Sequence, residues 1–208
     1  MNDPAVDASD WLKVSRETLD RLQDYQQLVL KWNRAVNLVS RNAAADLWGR
    51  HILDSAQFAY LVPEGVRTWA DLGSGGGFPG IVAAIQLKDT SPETRFILVE
   101  SDARKAVFLN QIIRKMGLNA EVCVGRIEQT APLGADVVSA RALAPLGELM
   151  EYAQRHLSAD GRAFFSKGES FQEELFQARR RWNFRVRTHI RRTDAQSAIL
   201  EVDQIEKI

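Results

Sequence analysis

The residues of this chain that could do chemistry cluster around a glycine-rich run, Asp71-Leu72-Gly73-Ser74-Gly75-Gly76-Gly77-Phe78-Pro79-Gly80. Thr68-Trp69-Ala70 precedes it and the apolar series Ile81, Val82, Ala84, Ile85 follows, an order that reads as strand, tight loop, helix. Glycine permits positive φ and close approach of a ligand to the backbone. The new helix start offers unpaired N–H groups and a partial positive charge to an anionic group. Such a loop after the first strand of an α/β sheet is a cradle for a nucleotide-like cofactor; a ligand-free surface turn is the plain alternative. Gly75, Gly77 and Gly80 satisfy the dinucleotide pattern G-x-G-x-x-G, a weak signal alone. Asp71 and Gly73 stand before that frame. An acid beside the loop suits a cofactor carrying an ammonium and a sulfonium, and it would repel a pyrophosphate.

Asp71-x-Gly73-x-Gly75-x-Gly77 resembles the first motif of the Rossmann-like S-adenosylmethionine-dependent methyltransferases. Other candidate groups follow at the ends of later strand-like runs. Glu100 closes Phe96-Ile97-Leu98-Val99 and can accept hydrogen bonds from both ribose hydroxyls, which fits NAD as well as S-adenosylmethionine. In the loop Gly125-Arg126-Ile127-Glu128, Ile127 can pack on an adenine ring and Glu128 can meet its polar edge. Asp136-Val137-Val138-Ser139-Ala140-Arg141-Ala142 supplies a fourth strand and the loop expected to face the transferable methyl. That loop lacks the Asn/Asp-Pro-Pro-aromatic sequence of methyltransferases acting on exocyclic amines, and Cys123 is wrongly placed for attack on a pyrimidine. Arg141 offers a planar fork of donors for a phosphate or a guanine edge; a salt bridge to a nearby acid is its other reading. Lys167 ends a fifth strand. With Arg104, Lys105, Arg126 and Arg141 it should ring the cofactor mouth, implying a polyanionic substrate. His51 and Asp54 could be an acid/base pair, but a structural role is the preferred reading.

These groups need a scaffold that brings strand ends to one edge. Helical periodicity runs from Trp11 to Trp32, with Ser15 and Thr18 near its start, and again over residues 43–61. Strands are expected over residues 67–72, 95–100, 120–124, 136–140, 163–166, 184–190 and 198–202. Helices are expected over 81–87, 103–116, 146–157 and 169–181, with turns at Ser91-Pro92, Gly117, Gly134 and Asp160-Gly161. Only a short polar link joins the last two strands, so they form an antiparallel hairpin. The expectation is an α/β fold: a seven-stranded, mostly parallel, Rossmann-like sheet with an antiparallel C-terminal hairpin. Residues 1–64 form a helical extension packed on the core, and residues 65–208 the methyltransferase domain.

Composition narrows the class. The 208 residues suit one domain, and 45% apolar content is ordinary for a globular protein. No apolar run approaches the roughly 18 residues of a membrane span, and the acidic, polar N-terminus does not read as a signal peptide. Cys123 is the single cysteine, which points to a reducing cytoplasm. His51, His156 and His189 show no metal-ligand spacing, so no metal is expected. Zero net charge argues against indiscriminate coating of nucleic acid. Charge is uneven, however: Asp3, Asp7, Asp10, Glu17, Asp20 and Asp24 lie at the start, while seven arginines from Arg179 to Arg192 crowd one segment without an intervening acid. That segment is either a solvated face or a phosphate-binding surface.

Taken together, Trp32-Asn33-Arg34-Ala35-Val36-Asn37-Leu38, Arg50-His51-Ile52-Leu53-Asp54-Ser55, the glycine loop, Gly125-Arg126-Ile127-Glu128, Ser139-Ala140-Arg141-Ala142 and Lys167-Gly168 resemble the bacterial RsmG (GidB) family from about Leu22 onward. The resemblance implies transfer of a methyl group from S-adenosylmethionine to N7 of one guanine in 16S rRNA, in a loop near the decoding site. It matches Gly73, Phe78, Ile127, Glu128 and Arg141 to cofactor-site positions, and Arg104, Arg126, Arg141 and Lys167 to positions facing RNA. Gly76 stands where relatives often have proline, and Glu100 where many have aspartate. The implied partners are 16S rRNA or an assembling small ribosomal subunit, with a monomeric enzyme in the cytoplasm. Rival readings are a small-molecule methyltransferase, an RNA-binding protein with an inactive cofactor fold, and an NAD-dependent oxidoreductase.

Overall fold

The computed structural model describes residues 11–208, so Asp3, Asp7, Asp10 and all but the end of the N-terminal dozen lie outside the described residues. Helix α1 (Arg16–Trp32) starts at Ser15, whose hydroxyl accepts a hydrogen bond from the Thr18 amide and so satisfies one unpaired donor of the helix start. Its buried stripe is Leu22, Tyr25 and Val29. The single helix expected over residues 43–61 is three pieces: α2 (Arg41–Ala45), a π-helical turn (Trp48–Leu53) and α3 (Asp54–Leu61). Asp46 interrupts it by accepting the Gly49 amide at 3.1 Å, the local competition that makes Asp a poor helix-interior residue.

The alternating part contains β1 (Thr68–Leu72), α4 (Gly80–Leu87), β2 (Arg95–Glu100), α5 (Ala103–Met116), β3 (Ala120–Val124), β4 (Ala135–Arg141), α6 (Leu146–His156), β5 (Leu157–Lys167), α7 (Phe171–Ala178), β6 (Trp182–Arg191) and β7 (Asp194–Lys207). The strands form one sheet in the order β3-β2-β1-β4-β5-β7-β6. The first five are parallel; β7 runs antiparallel between β5 and β6. The last hairpin extends well past its apolar stretches, because its outer strand is an edge and needs little apolar face.

Side chains alternate strictly between two cores. Trp69, Phe96, Leu98 and Phe164 face one cluster with α1, α3, α4 and α5. Ala70, Ile97, Val99 and Phe165 face the other with α6 and α7. The helical N-terminal segment thus buries its stripe against the same sheet face as α4 and α5. Among the described residues no helix is long and apolar enough to cross a membrane. Parallel pairing aligns the C-terminal ends of β1 to β5 on one edge, and there the site forms.

Candidate active site

The loop after β1 is held from both sides. Gly73 and Gly77 have φ of +64° and +93°, in the region that disfavours side chains. A Cβ on Gly77 would also meet Ile81 Cγ1 at 2.6 Å and Tyr25 Oη at 2.7 Å. The Tyr25 hydroxyl donates to the Gly76 carbonyl, which ties the loop to α1. Asp71 is fully buried. Its Oδ2 accepts the Gly80 amide at 3.2 Å and its Oδ1 accepts the Ser139 hydroxyl at 2.7 Å. Burial pushes its carboxyl up to about 6 against the pull of those hydrogen bonds. The carboxylate thus lies beneath the loop and holds its two ends, at Gly80 and against β4. Phe78 is likewise buried, its ring packed against Tyr25 and His51 and beneath Arg141.

Glu100 sits beside the loop, its Oε2 accepting the Gly75 amide at 2.8 Å and its Oε1 the Asp102 amide at 2.7 Å. A carboxylate has about four acceptor sites, so it retains capacity for hydroxyl donors. Beyond β3, Ile127 is buried and Glu128 exposed on a short 3-10 turn, Ile127–Gln129. The end of α6 grips that turn at both ends. His156 Nε2 lies 3.1 Å from the Ile127 carbonyl, and Arg155 places Nε and Nη2 at 3.0 and 2.9 Å from the Thr130 carbonyl. Burial lowers the His156 pKa, which favours the neutral ring with its proton on Nε2.

On the other side of the loop lies a cavity of about 1330 Å³, walled by the ends of β4 and β5, the π-helical turn and the β6–β7 tip. Arg141 and Lys167 both line it, but neither is an open cation. Arg141 Nη1 contacts Asp54 Oδ2 at 3.0 Å and the Arg50 carbonyl at 3.0 Å, and its other amino group meets His51 Nδ1. Lys167 Nζ donates to the Ala144 carbonyl at 2.6 Å and to Glu174 at 2.7 Å. Asp54 is 2% exposed and is shared by Arg141, Arg191 at 2.8 Å and the Thr193 hydroxyl at 2.7 Å. Burial raises its pKa, while Arg191 and Thr193 lower it. Burial, with Arg191 nearby, lowers Arg141 to about 10, so the guanidinium stays charged at neutral pH. His51 and Asp54 thus serve to orient Arg141. Leu143 joins the two halves of the site: a Cβ on Gly73 would lie 2.6 Å from its Cδ1, and the same residue lines the cavity.

The expected basic ring is divided. Arg141 and Lys167 line the cavity, whereas Arg104, Lys105 and Arg126 do not; they follow β2 and β3 on the far side of the glycine loop. The arginine-rich segment is not one surface either. Arg181 pairs with Glu151, Arg185 with Asp203, Arg187 with Glu201 and Arg191 with Asp54. Two of those acids, Asp203 and Glu201, come from β7, a cross-strand pairing that local sequence does not reveal. Sequence reading missed Tyr25, Leu143, Thr193 and Glu174, and placed Arg191 only within the arginine-rich segment. Only Glu174 carried a local hint, one helical stretch beyond Lys167.

A single sheet of this order with helices on both faces and a glycine loop after its first strand is the Rossmann-like fold of the S-adenosylmethionine-dependent methyltransferases. The cofactor-bound structure of Rv0187 from MTB has this fold, with a TM-score of 0.58, 17% identity and coverage of 97% of both chains. The GidB family, rRNA small subunit methyltransferase G, matches residues 18–199, and the chain belongs to it. It is 44% identical to the ribosomal RNA small subunit methyltransferase G of Ruegeria pomeroyi over 98% of this chain and 99% of that one. It is 46% identical to the protein of that name from Cereibacter sphaeroides, over 97% of each.

Proposed function

We propose that the protein transfers a methyl group from S-adenosylmethionine to N7 of one guanine in 16S rRNA, in a loop near the decoding site, leaving S-adenosylhomocysteine. The relatives' names support the ribosomal substrate. The observation that carries the reading is the shared wall at Leu143, with a glycine cradle on one side and an arginine-lined cavity on the other. The cradle fits the methyl donor: its glycines exclude side chains, and Glu100 retains acceptor capacity beside them. Gly73, Gly75, Gly77 and Glu100 would hold the donor, with Ile127 and Glu128 at its adenine end. When bound, S-adenosylmethionine supplies an electrophilic methyl on a sulfonium.

Guanine N7 has a lone pair and no proton to lose, so no side chain need act as a base. The protein's task is to align acceptor and methyl, an effect that reaches roughly 7–11 kcal/mol in favourable cases. Arg141 and Lys167 are positioning groups that meet guanine O6 or a phosphate. Methylation places positive charge on the purine, and Asp54 and Glu174 offset the cations that would oppose it. Arg104, Lys105 and Arg126 are offered to RNA beyond the cavity. The substrate is 16S rRNA or an assembling small subunit in the cytoplasm, and the enzyme acts as a monomer. Mapping N7-methylguanine in 16S rRNA from cells with and without the gene tests this. One site should disappear in the deletion; an unchanged map refutes the function.

A further inference from the structure

The cavity is larger than the roughly 300–1,000 Å³ of a typical small-ligand pocket. One wall is the paired network of Arg141 and Lys167 at the strand ends. A different wall is built by Trp11 and Arg192, both of which line the same space. Here the arginine is not committed to a carboxylate: among the described residues Arg192 is in no ion pair, and its guanidinium lies 5.5 Å from the centre of the Trp11 ring. Trp11 in turn packs edge-on against Tyr60, which is 48% exposed.

The backbone fixes this arrangement. Arg191 ends β6 and Arg192 opens the turn that follows, and their side chains leave the strand end in different directions. Arg191 turns inward to Asp54 and to the Ser166 hydroxyl at 3.2 Å, and Arg192 is left exposed. The tip is pinned to α3, since the Arg192 amide donates to Gln57 Oε1 at 2.7 Å and Thr193 donates to Asp54. A planar cation laid over an indole at a cavity wall is a ready platform for a nucleobase, because guanidinium planes and aromatic faces both stack on bases without regard to sequence.

We infer that Arg192, supported by Trp11, is a stacking subsite for the nucleotide adjacent to the methylated guanine in single-stranded RNA. The inference rests on the proposed rRNA methylation and adds a second base to the same cavity. Arg141 and Lys167 hold the target nucleotide, and Arg192 holds its neighbour, so the enzyme grips an unpaired dinucleotide step.

The probes are guanosine monophosphate and a pentaribonucleotide with a central guanosine, together with versions in which each neighbouring base is abasic. Binding is measured by calorimetry in the presence of S-adenosylhomocysteine. The wild type should bind the pentamer more tightly than the mononucleotide and lose roughly tenfold when one particular neighbour is abasic. Arg192→Ala should lose that increment and become insensitive to the abasic site. Arg192→Lys, which keeps the charge and removes the plane, should behave like Arg192→Ala. Wild-type behaviour of Arg192→Lys overturns the stacking role in favour of a phosphate contact. Unaltered abasic sensitivity in Arg192→Ala, or a wild type that binds the pentamer no better than the mononucleotide, also overturns it. The methylation map of wild-type cells judges the underlying reaction separately: if it fails, the function falls, whereas a normal map with these binding results removes the subsite alone.

Discussion

Asp71→Asn isolates the cost of the acid buried beneath the glycine loop. Asp71 is wholly enclosed, and burial raises its pKa from 3.8 to about 6. Between those values the native protein holds a proton that the unfolded chain has released. Stability therefore falls as pH rises through this window, by about 1.4 kcal/mol per unit and about 3 kcal/mol in all. The contribution is fully present below pH 3.8 and is lost as pH passes 6. Asparagine matches the shape and can still accept the Gly80 amide, but it cannot ionise. Urea denaturation of both proteins from pH 4 to pH 7.5 gives the difference in unfolding free energy, in which shared titrations such as Asp54 cancel. Relative to the variant, the wild type should weaken by about 2.5 kcal/mol across that range, with most of the change complete just above pH 6. A difference that stays flat, or one that moves in favour of the wild type with rising pH, refutes a carboxylate destabilised by burial.

Three further outcomes follow from the same geometry. Asp54→Ala strands Arg141 and Arg191 without their shared carboxylate, and should cost about 3–5 kcal/mol in denaturant unfolding. Gly73→Ala places a Cβ at positive φ and against Leu143, which should cost about 1–2 kcal/mol and weaken S-adenosylmethionine binding at least tenfold by calorimetry. His156→Leu leaves the Ile127 carbonyl unpaired, a loss of about 1–3 kcal/mol. It should raise the KM for S-adenosylmethionine while kcat holds, with His156→Gln restoring much of it; a fall in kcat alone would remove the role assigned to the α6 clamp.

Local signals were strong where the backbone itself carried them. The alternation of Phe96, Ile97, Leu98 and Val99, the bounds of β2, β3 and α5, and the reversed final hairpin were all legible because periodicity and turn residues are properties of short segments. The helix expected over residues 43–61 is broken at Asp46, whose carboxylate takes the Gly49 amide, and is helical from Trp48 to Leu61 with a π-helical first part. Arg185 and Arg187 looked uncompensated because their partners, Asp203 and Glu201, lie across the β6–β7 pair and not along the segment.

The sequence by itself determined the cradle: glycine types, the acids Asp71 and Glu100, and the strand–loop–helix order that makes a cofactor loop. Tertiary structure decided what each charge does. It buried Asp71 under the loop, gave Arg141 and Arg191 a common carboxylate in Asp54, engaged Lys167 with Glu174, and left Arg192 over Trp11 at the cavity wall. The physical reason is that a charge acquires its role from the groups within a few ångströms. In this fold those groups are supplied by elements far apart in the chain: Asp54 from α3, Arg141 from β4 and Arg191 from β6.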